Sequence, residues 1–409
     1  GITFNNHATI GHGAYDNPDD DDDNNLAVLG GKITVAAGGD VNLTAGLGYY
    51  AQAQIGHGGA SHYLADFIKS DISVTAGGDV SLLGGGGSVA TAANQSSAQI
   101  GHGGYNGDFI ENSDPGVPNS VIPVSAGSGR GYKGNILVNA GGSVKVTAGM
   151  LDSNNFAAIG NGGILADGDH SGEITVNAGK AIELKGGSGA TGLFAQIGHI
   201  VYESSNAISG SVRVQSGDGG ILLEGGSSTA NYATIGSGGY EIKDGSSIGG
   251  GTFVTSLGTD PSDGIVMRAG SGNYSSAQIG HLAERTVGGF VHPDVGLSGE
   301  VRVSVAGGGL AMDASVLGYF THVQIGHGGR DITGTKSGEI TVTVTSGDIV
   351  MTSGGENPSG RYSHAQIGHG GYGNGVTGNI DGSITLEALA GKIAIIADES
   401  YGNYSQVGH

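Results

Sequence analysis

The sequence of 409 residues contains no cysteine, no tryptophan and only 7 prolines. Without cysteine the chain can form no disulfide, iron–sulfur cluster or thiol-dependent site. No run of 18 apolar residues occurs, which excludes a transmembrane helix. Basic residues are scarce as well, since 16 Lys and Arg against 37 Asp and Glu give a net charge of −21. Nucleic acids and anionic membranes are bound through clustered basic residues, so this charge excludes nucleic-acid binding.

The chain is rich in glycine, with 86 residues. One short motif, most often Ala-Gln-Ile-Gly-His, recurs ten times along it. Its intervals run from 38 to 59 residues, with a mean of about 44. Repetition in phase over the whole length predicts one continuous domain spanning residues 1–409. The longer or blurred intervals predict irregular excursions at residues 105–134, 239–262 and 282–298.

Two further patterns of alternating apolar residues lie between successive copies of the motif. Clear examples are Ile33-Thr34-Val35 with Val41-Asn42-Leu43, and Ile72-Ser73-Val74 with Val80-Ser81-Leu82. Short period-2 alternations of β-branched residues bounded by glycine predict strands. Each repeat therefore has three short strands. A propeller blade would need four strands and a fixed repeat length, so the pattern favours a parallel β-helix, a β-solenoid of about nine to ten coils of ~44 residues.

The pattern Gly-x-Ile-Thr-Val-x-Ala-Gly-Gly-Asp-Val-x-Leu resembles the filamentous-haemagglutinin-like exoproteins, bacterial surface proteins of the two-partner secretion type. The resemblance covers essentially the whole chain, although the family's amino-terminal secretion domain is not recognisable. It implies a right-handed β-helical shaft, an extracellular or cell-surface location, and a role in adhesion or in a matrix. The lack of cysteine agrees with export in an unfolded form.

Eight histidines end the repeated motif, and stacked coils would place them in one row. Imidazole is the commonest metal ligand, so one interpretation is a metal-binding histidine row. The other is a structural row in which each ring bonds to the backbone. Asn161 and Ser237 occupy the same position and are poor ligands for transition metals, which favours the structural interpretation. The eight are His12, His57, His102, His199, His281, His327, His369 and His409.

Aromatic residues precede the same motif at odd offsets from its central apolar residue, where a regular strand would point them outward. They predict an exposed stripe for stacking on sugars or for lateral contact between rods. The alternative is a bent strand start in which the ring caps the corner of the coil. Both interpretations remain open from the sequence. The residues are Tyr50, Phe156, Phe194, Tyr232, Tyr274, Phe320, Tyr362 and Tyr404.

One acidic run could supply the oxygen ligands that calcium requires, making calcium the one cofactor to consider. It lacks the spacing of an EF-hand loop, and a solvated acidic loop is the favoured interpretation. The run consists of Asp19, Asp20, Asp21, Asp22 and Asp23.

The repeats contain no arrangement of residues that is recognisable as a catalytic site. We therefore predict a non-catalytic structural or adhesive shaft, with self-association end to end or side by side as the expected partnership. Glycans, or the surface of a host or neighbouring cell, are the alternative partners. The alternative function is a glycan-binding or glycan-cleaving β-helix protein, because a catalytic or binding coil must differ from its neighbours and the excursions do.

Overall fold

The computed structural model describes residues 7–12, 30–48, 50–64, 68–86, 95–112, 121–123, 126–128, 130–150, 153–204, 206–285, 292–316, 318–354, 362–372, 378–397 and 402–409. Within these ranges every helix-or-strand element is a strand, and no helix is present that could cross a membrane. The strands form five sheets, and equivalent strands of successive coils pair in parallel. The prediction of an all-β parallel solenoid is confirmed.

Each complete coil contains five strands, two more than the sequence patterns predict, and its strands belong in order to sheets A, B, C, D and E. The three predicted strands are those of sheets A, D and E. Sheet A contains Ala8–Ile10, Ala53–Ile55, Ala98–Ile100, Ala157–Ile159, Ala195–Ile197, Ala233–Ile235, Ser276–Ile279, His322–Ile325, His364–Ile367 and Tyr404–Val407. Sheet D contains Ile33–Ala37, Ile72–Ala76, Ile136–Ala140, Ile174–Ala178, Val212–Ser216, Thr252–Ser256, Val301–Val305, Ile340–Val344 and Ile384–Ala388. Sheet E contains Val41–Thr44, Val80–Leu83, Val144–Thr147, Ile182–Lys185, Ile221–Glu224, Ile265–Arg268, Leu310–Ala314, Ile349–Ser353 and Ile393–Ala397.

The two additional sheets follow the Gly-His corner, and most of their strands are only two or three residues long. Sheet B contains Gly58–Leu64, Gly103–Asn112, Val121–Pro123, Gly162–Ile164, Ile200–Tyr202, Gly238–Tyr240, Leu282–Glu284, Gly328–Arg330 and Gly370–Tyr372. Sheet C contains Ile68–Lys69, Tyr132–Lys133, His170–Ser171, Ala207–Ser209, Ser247–Gly249, Gly296–Ser298, Lys336–Ser337 and Ile380–Asp381. Many begin with glycine and are too short to show a period of two. Hydrogen bonds to the neighbouring coils, rather than local sequence, define them.

The segments predicted to be irregular contain regular strands. The segment 239–262 contributes Ser247–Gly249 and Thr252–Ser256 in register with both neighbouring coils. The segment 282–298 contributes Leu282–Glu284 and Gly296–Ser298, on either side of residues outside the described set. In the segment 105–134 the strand Gly103–Asn112 is longer than its equivalents in later coils and pairs antiparallel with Val121–Pro123. Among the described residues of the three segments, antiparallel pairing occurs in this one alone.

The rod contains three layers of buried apolar side chains. The main core lies between sheets A, D and E and is built from their inward Ile, Val, Leu, Met and Ala residues. A second core lies between the other face of sheet A and sheet B, and it includes Phe194, Tyr202 and Tyr232. A third core joins sheets B and C through Val201, Ile208 and their equivalents. All strands of sheet A from Ala53–Ile55 to His364–Ile367 are therefore buried on both faces.

Candidate functional site

The histidine row is a hydrogen-bonded part of the wall of the rod. The backbone N–H of His57 donates to Nδ1 of His102 at 3.0 Å, and the rings of His57 and His102 stack with their centroids 5.0 Å apart. Because a backbone amide is only a donor, Nδ1 must be the acceptor and the ring proton sits on Nε2. That Nε2 donates to the carbonyl oxygen of Ser70 at 2.8 Å. The ring thus connects the corner between sheets A and B to the corner between sheets C and D.

The same two hydrogen bonds recur along the row. In each case Nδ1 accepts a hydrogen bond from a backbone N–H of the preceding coil, and Nε2 donates one to the carbonyl oxygen of a glycine. The residues are His57, His199, His281, His327, His369 and His409. His12 stacks on His57 at 5.0 Å and donates its backbone N–H to that ring. Where Asn161 replaces histidine, its Oδ1 accepts from His102 and its Nδ2 donates to Gly134 at 3.1 Å.

This geometry favours the structural interpretation of the row over the metal-binding one. Both ring nitrogens of each bonded histidine are engaged by the backbone, so neither presents a free lone pair to a metal. Burial lowers the pKa of His102, His199 and His281 to about 4. The described residues contain no group of three or more His, Cys, Asp or Glu side chains placed to hold a metal. Asp19, Asp20, Asp21, Asp22 and Asp23, the candidate calcium loop, lie outside the described residues.

The prediction of an exposed aromatic stripe is wrong for the residues nearest the motif. Phe156, Phe194 and Tyr232 do point away from the main core, but sheet B covers that face and their exposed fractions are 1%, 0% and 0%. Their rings stack in sequence with centroids 4.9 Å apart. They form the middle of the second core and offer no open face to a ligand or another rod.

The aromatic residues placed two positions earlier sit at a bend, as the alternative interpretation held. Tyr50, Tyr274, Phe320 and Tyr362 have φ values of 55°, 59°, 58° and 63°, in the left-handed region. They are half-buried. Phe320 stacks on Tyr362 at 5.1 Å. Tyr404, also half-buried, stacks on His364 at 4.8 Å. The rings of Tyr50, Tyr274, Phe320 and Tyr362 line the corner that precedes sheet A, whereas Tyr404 lies in a strand of sheet A itself.

The glutamine of the motif has a role that the sequence pattern did not indicate. Nε2 of Gln54 donates to the carbonyl oxygens of Gly101 and Gly103 at 3.0 and 2.9 Å. These carbonyls flank the tight corner of the next coil, and equivalent bonds are made by Gln99, Gln196, Gln278, Gln324 and Gln366. The repetition of glutamine at one position of the motif was the signal available in the sequence.

A cluster of ionisable side chains interrupts the second core where the aromatic stack ends. In sheet A, Ser276 occupies the position that follows Tyr232 in the aromatic stack. In sheet B, Glu284 and Arg330 occupy the positions equivalent to Tyr202 and Tyr240 in the next two coils. Oε1 of Glu284 lies 3.5 Å from Nδ1 of His322, and both side chains are almost fully buried. The Arg330 guanidinium lies 3.9 Å from the centre of the Tyr274 ring.

Burial determines the protonation of this cluster. It raises the pKa of Glu284 to about 8, against the opposing effect of the positive charge on Arg330. Burial likewise holds the pKa of His322 well below its ordinary range. Near neutral pH Glu284 is therefore largely protonated, and both it and His322 are uncharged. With 2–3% of each side chain exposed, the cluster is closed to a substrate in this conformation.

An open cleft of about 440 Å³ lies at the corner between sheets B and C. Glu203 and Glu241 occupy equivalent positions of successive coils there, both with left-handed backbone. Nε of Arg285 lies 3.9 Å from Oε2 of Glu241. Burial, followed by the like charge of Glu241, raises the pKa of Glu203. The remaining lining residues are Leu165, Ile242, Lys243, Asp244 and Pro293.

Comparison of the chain with protein-family models, with curated proteins and with solved structures finds no match in any of the three.

Proposed function

We propose that the chain is a non-catalytic structural or adhesive shaft of a bacterial surface fibre. The observation that carries the proposal is the use of the repeated polar side chains. Histidine and glutamine, the residues repeated in the motif, direct their hydrogen bonds to the backbone of adjacent coils and so hold the coils together. A sequence selected to bind a small ligand would instead direct some of these groups into an accessible site.

The extracellular location is proposed on the composition and on the resemblance to the two-partner secretion exoproteins. The chain contains no cysteine and has a net charge of −21. The first removes any requirement for disulfide formation during export, and the second keeps an exposed repetitive surface soluble.

Surface labelling tests this function directly. Antibodies raised against the purified rod should label intact, unpermeabilised cells that make the protein, and protease added outside those cells should remove the label. Negative-stain images of the purified protein should show rods about 48 Å long for ten coils at ~4.8 Å each. A protein that resists external protease until the cells are lysed would contradict the proposal.

Glycan binding is a second candidate function, favoured by the cleft at the corner between sheets B and C. Its lining combines apolar residues with charged residues of both signs, which suits a polar ligand such as a saccharide. On a glycan array the intact protein should bind, and the variant Glu203→Gln/Glu241→Gln should lose binding. Asp218→Asn, at an exposed turn on another side of the rod, is the control. Equal binding by all three proteins would remove the cleft from consideration.

A further inference from the structure

The outer face of sheet E carries a row of charges that alternate in sign from coil to coil. Lys185, Glu224, Arg268 and Asp313 are consecutive partners in the parallel ladder. With a strand spacing of ~4.8 Å, the four charges span roughly 14 Å along the rod. They line a groove of about 490 Å³ that also includes the exposed side chains of Leu83 and Met150.

Alternating charges on adjacent strands can attract one another within a single rod, which is the simplest explanation for the row. The contacts do not follow that explanation. Nζ of Lys185 pairs with Glu183 of its own strand at 3.0 Å, and Asp313 accepts from the backbone N–H of Ser315 at 2.9 Å. Among the described residues, no ion pair within 4.0 Å joins successive members of the row.

The row is complementary to a reversed copy of itself. Consider a two-fold axis that is perpendicular to the rod, lies in the contact plane and passes between Glu224 and Arg268. It places Lys185 opposite Asp313 of the second copy, and Glu224 opposite Arg268. All four positions then face an opposite charge. Two parallel rods in register would instead place like charges opposite each other, which is unfavourable.

We propose that this face of sheet E is a self-association surface on which a second copy of the chain packs antiparallel. A two-fold contact is closed and uses the same residues on both copies. The outward positions of the strands from Val144 to Ala314 carry three basic and three acidic residues, so the face is electrically neutral. On a chain of net charge −21, a neutral face is where two copies repel each other least. The inference deepens the proposed shaft function by identifying one lateral contact, and it requires only that the rod fold.

Charge exchange separates the intermolecular explanation from the intramolecular one. Lys185→Glu and Asp313→Lys each place like charges opposite each other twice in the antiparallel dimer. The double variant Lys185→Glu/Asp313→Lys restores both intermolecular pairs. Within one rod the same double variant is unfavourable, because residue 185 then lies beside Glu183 and Glu224 and residue 313 beside Arg268. Lys69→Glu, on sheet C, is a matched control for the change in net charge.

Sedimentation velocity over a concentration series, with thermal unfolding of the same samples, is the test. The wild type and Lys69→Glu should dimerise with a dissociation constant that rises with salt. Each single variant should weaken the dimer by about tenfold or more. The double variant should recover wild-type dimerisation despite a lower unfolding temperature. A wild type that stays monomeric, or a double variant as weak as the single ones, would overturn the proposal. Monomeric rods on a labelled cell surface would leave the shaft function standing.

Discussion

Replacing His199 by asparagine should remove an acid-sensitive site without removing its hydrogen bonds. His199 is the simplest member of the row, because Asn161 and Ser237 rather than histidines flank it. Its Nδ1 accepts from the Asn161 N–H at 3.3 Å, and its Nε2 lies 3.0 Å from the carbonyl oxygen of Gly172. Protonation of Nδ1 would make it a hydrogen-bond donor facing the Asn161 N–H, which is also a donor, so this hydrogen bond would be lost. Asn161 makes the equivalent pair of bonds naturally, so asparagine fits the position.

The size of the effect follows from the pKa. Burial lowers the pKa of His199 to about 4 from its ordinary value of 6.5. Between these values the unfolded chain binds a proton here and the folded chain does not, so stability falls as the pH falls. One histidine costs about 3.4 kcal/mol over the full window and about 2.5 kcal/mol at pH 4.5. His199→Asn should therefore gain about 2.5 kcal/mol relative to the wild type between pH 7.5 and pH 4.5.

Urea unfolding at a series of pH values measures the difference in unfolding free energy between His199→Asn and the wild type. The test is how this difference changes between pH 7.5 and pH 4.5. A constant loss from the missing ring would appear equally at pH 7.5 and pH 4.5. His199→Ala is the control. It also removes the titrating imidazole, but it leaves the Asn161 N–H and the Gly172 carbonyl oxygen without a side-chain partner at position 199. It should therefore be less stable than His199→Asn at both pH values. Wild-type and His199→Asn curves that stay parallel down to pH 4.5 would refute the reasoning, as would an NMR titration giving His199 a pKa near 6.5.

Further predictions concern the buried carboxyl, the corner glycines, the aromatic stack and metals. Glu284→Gln should remove a loss of about 4 kcal/mol that the wild type undergoes between pH 4.5 and 8, since the folded carboxyl retains its proton to about pH 8. Equal pH dependence of the two proteins in urea unfolding would contradict this. Gly198→Ala should lower the free energy of unfolding by about 3 kcal/mol, because Gly198 has a φ of +153° and a Cβ there would lie 2.0 Å from the carbonyl oxygen of Gly236. The control Gly38→Ala, whose Cβ would enter open space, should change it by less than about 0.5 kcal/mol. Phe194→Ala should cost about 3–5 kcal/mol by opening a cavity between Phe156 and Tyr232, measured by thermal unfolding. A chelator should leave the unfolding temperature unchanged, and a loss restored specifically by zinc, copper or nickel would return the histidine row to a metal-binding interpretation.

The repeat made the architecture predictable from the sequence. Ten copies of one motif in phase, with two β-branched alternations between them, specify identical strands that stack coil on coil. The ladder pairs Ile72 with Ile136 and Ile136 with Ile174, so each inward side chain meets its own equivalent. Asn161 and Ser237, which replace histidine in two copies of the motif, also indicated that this position is one for hydrogen bonding.

The sequence did not reveal sheets B and C, because their short glycine-containing strands show no periodicity of their own. That omission left the exposed-stripe interpretation open, and it is wrong for Phe156, Phe194 and Tyr232. Alternation along sheet A correctly directed Phe194 away from the main core, but alternation cannot indicate whether another layer covers the opposite face. The position of Glu284 was unpredictable for the same reason, since it follows from a register between sheets A and B that are joined at a tight corner.

The sequence by itself therefore determined which residues repeat, which of them face the main core, and that the chain forms a parallel β-solenoid. These are consequences of local alternation and of stacking between equivalent positions. Only the tertiary structure decided what lies on the far side of sheet A. There the packing of sheet B turns a predicted surface into a second core, fills it with stacked rings, and encloses Glu284 and His322 away from water. Burial depends on which layers meet in space, and a one-dimensional period carries no information about that.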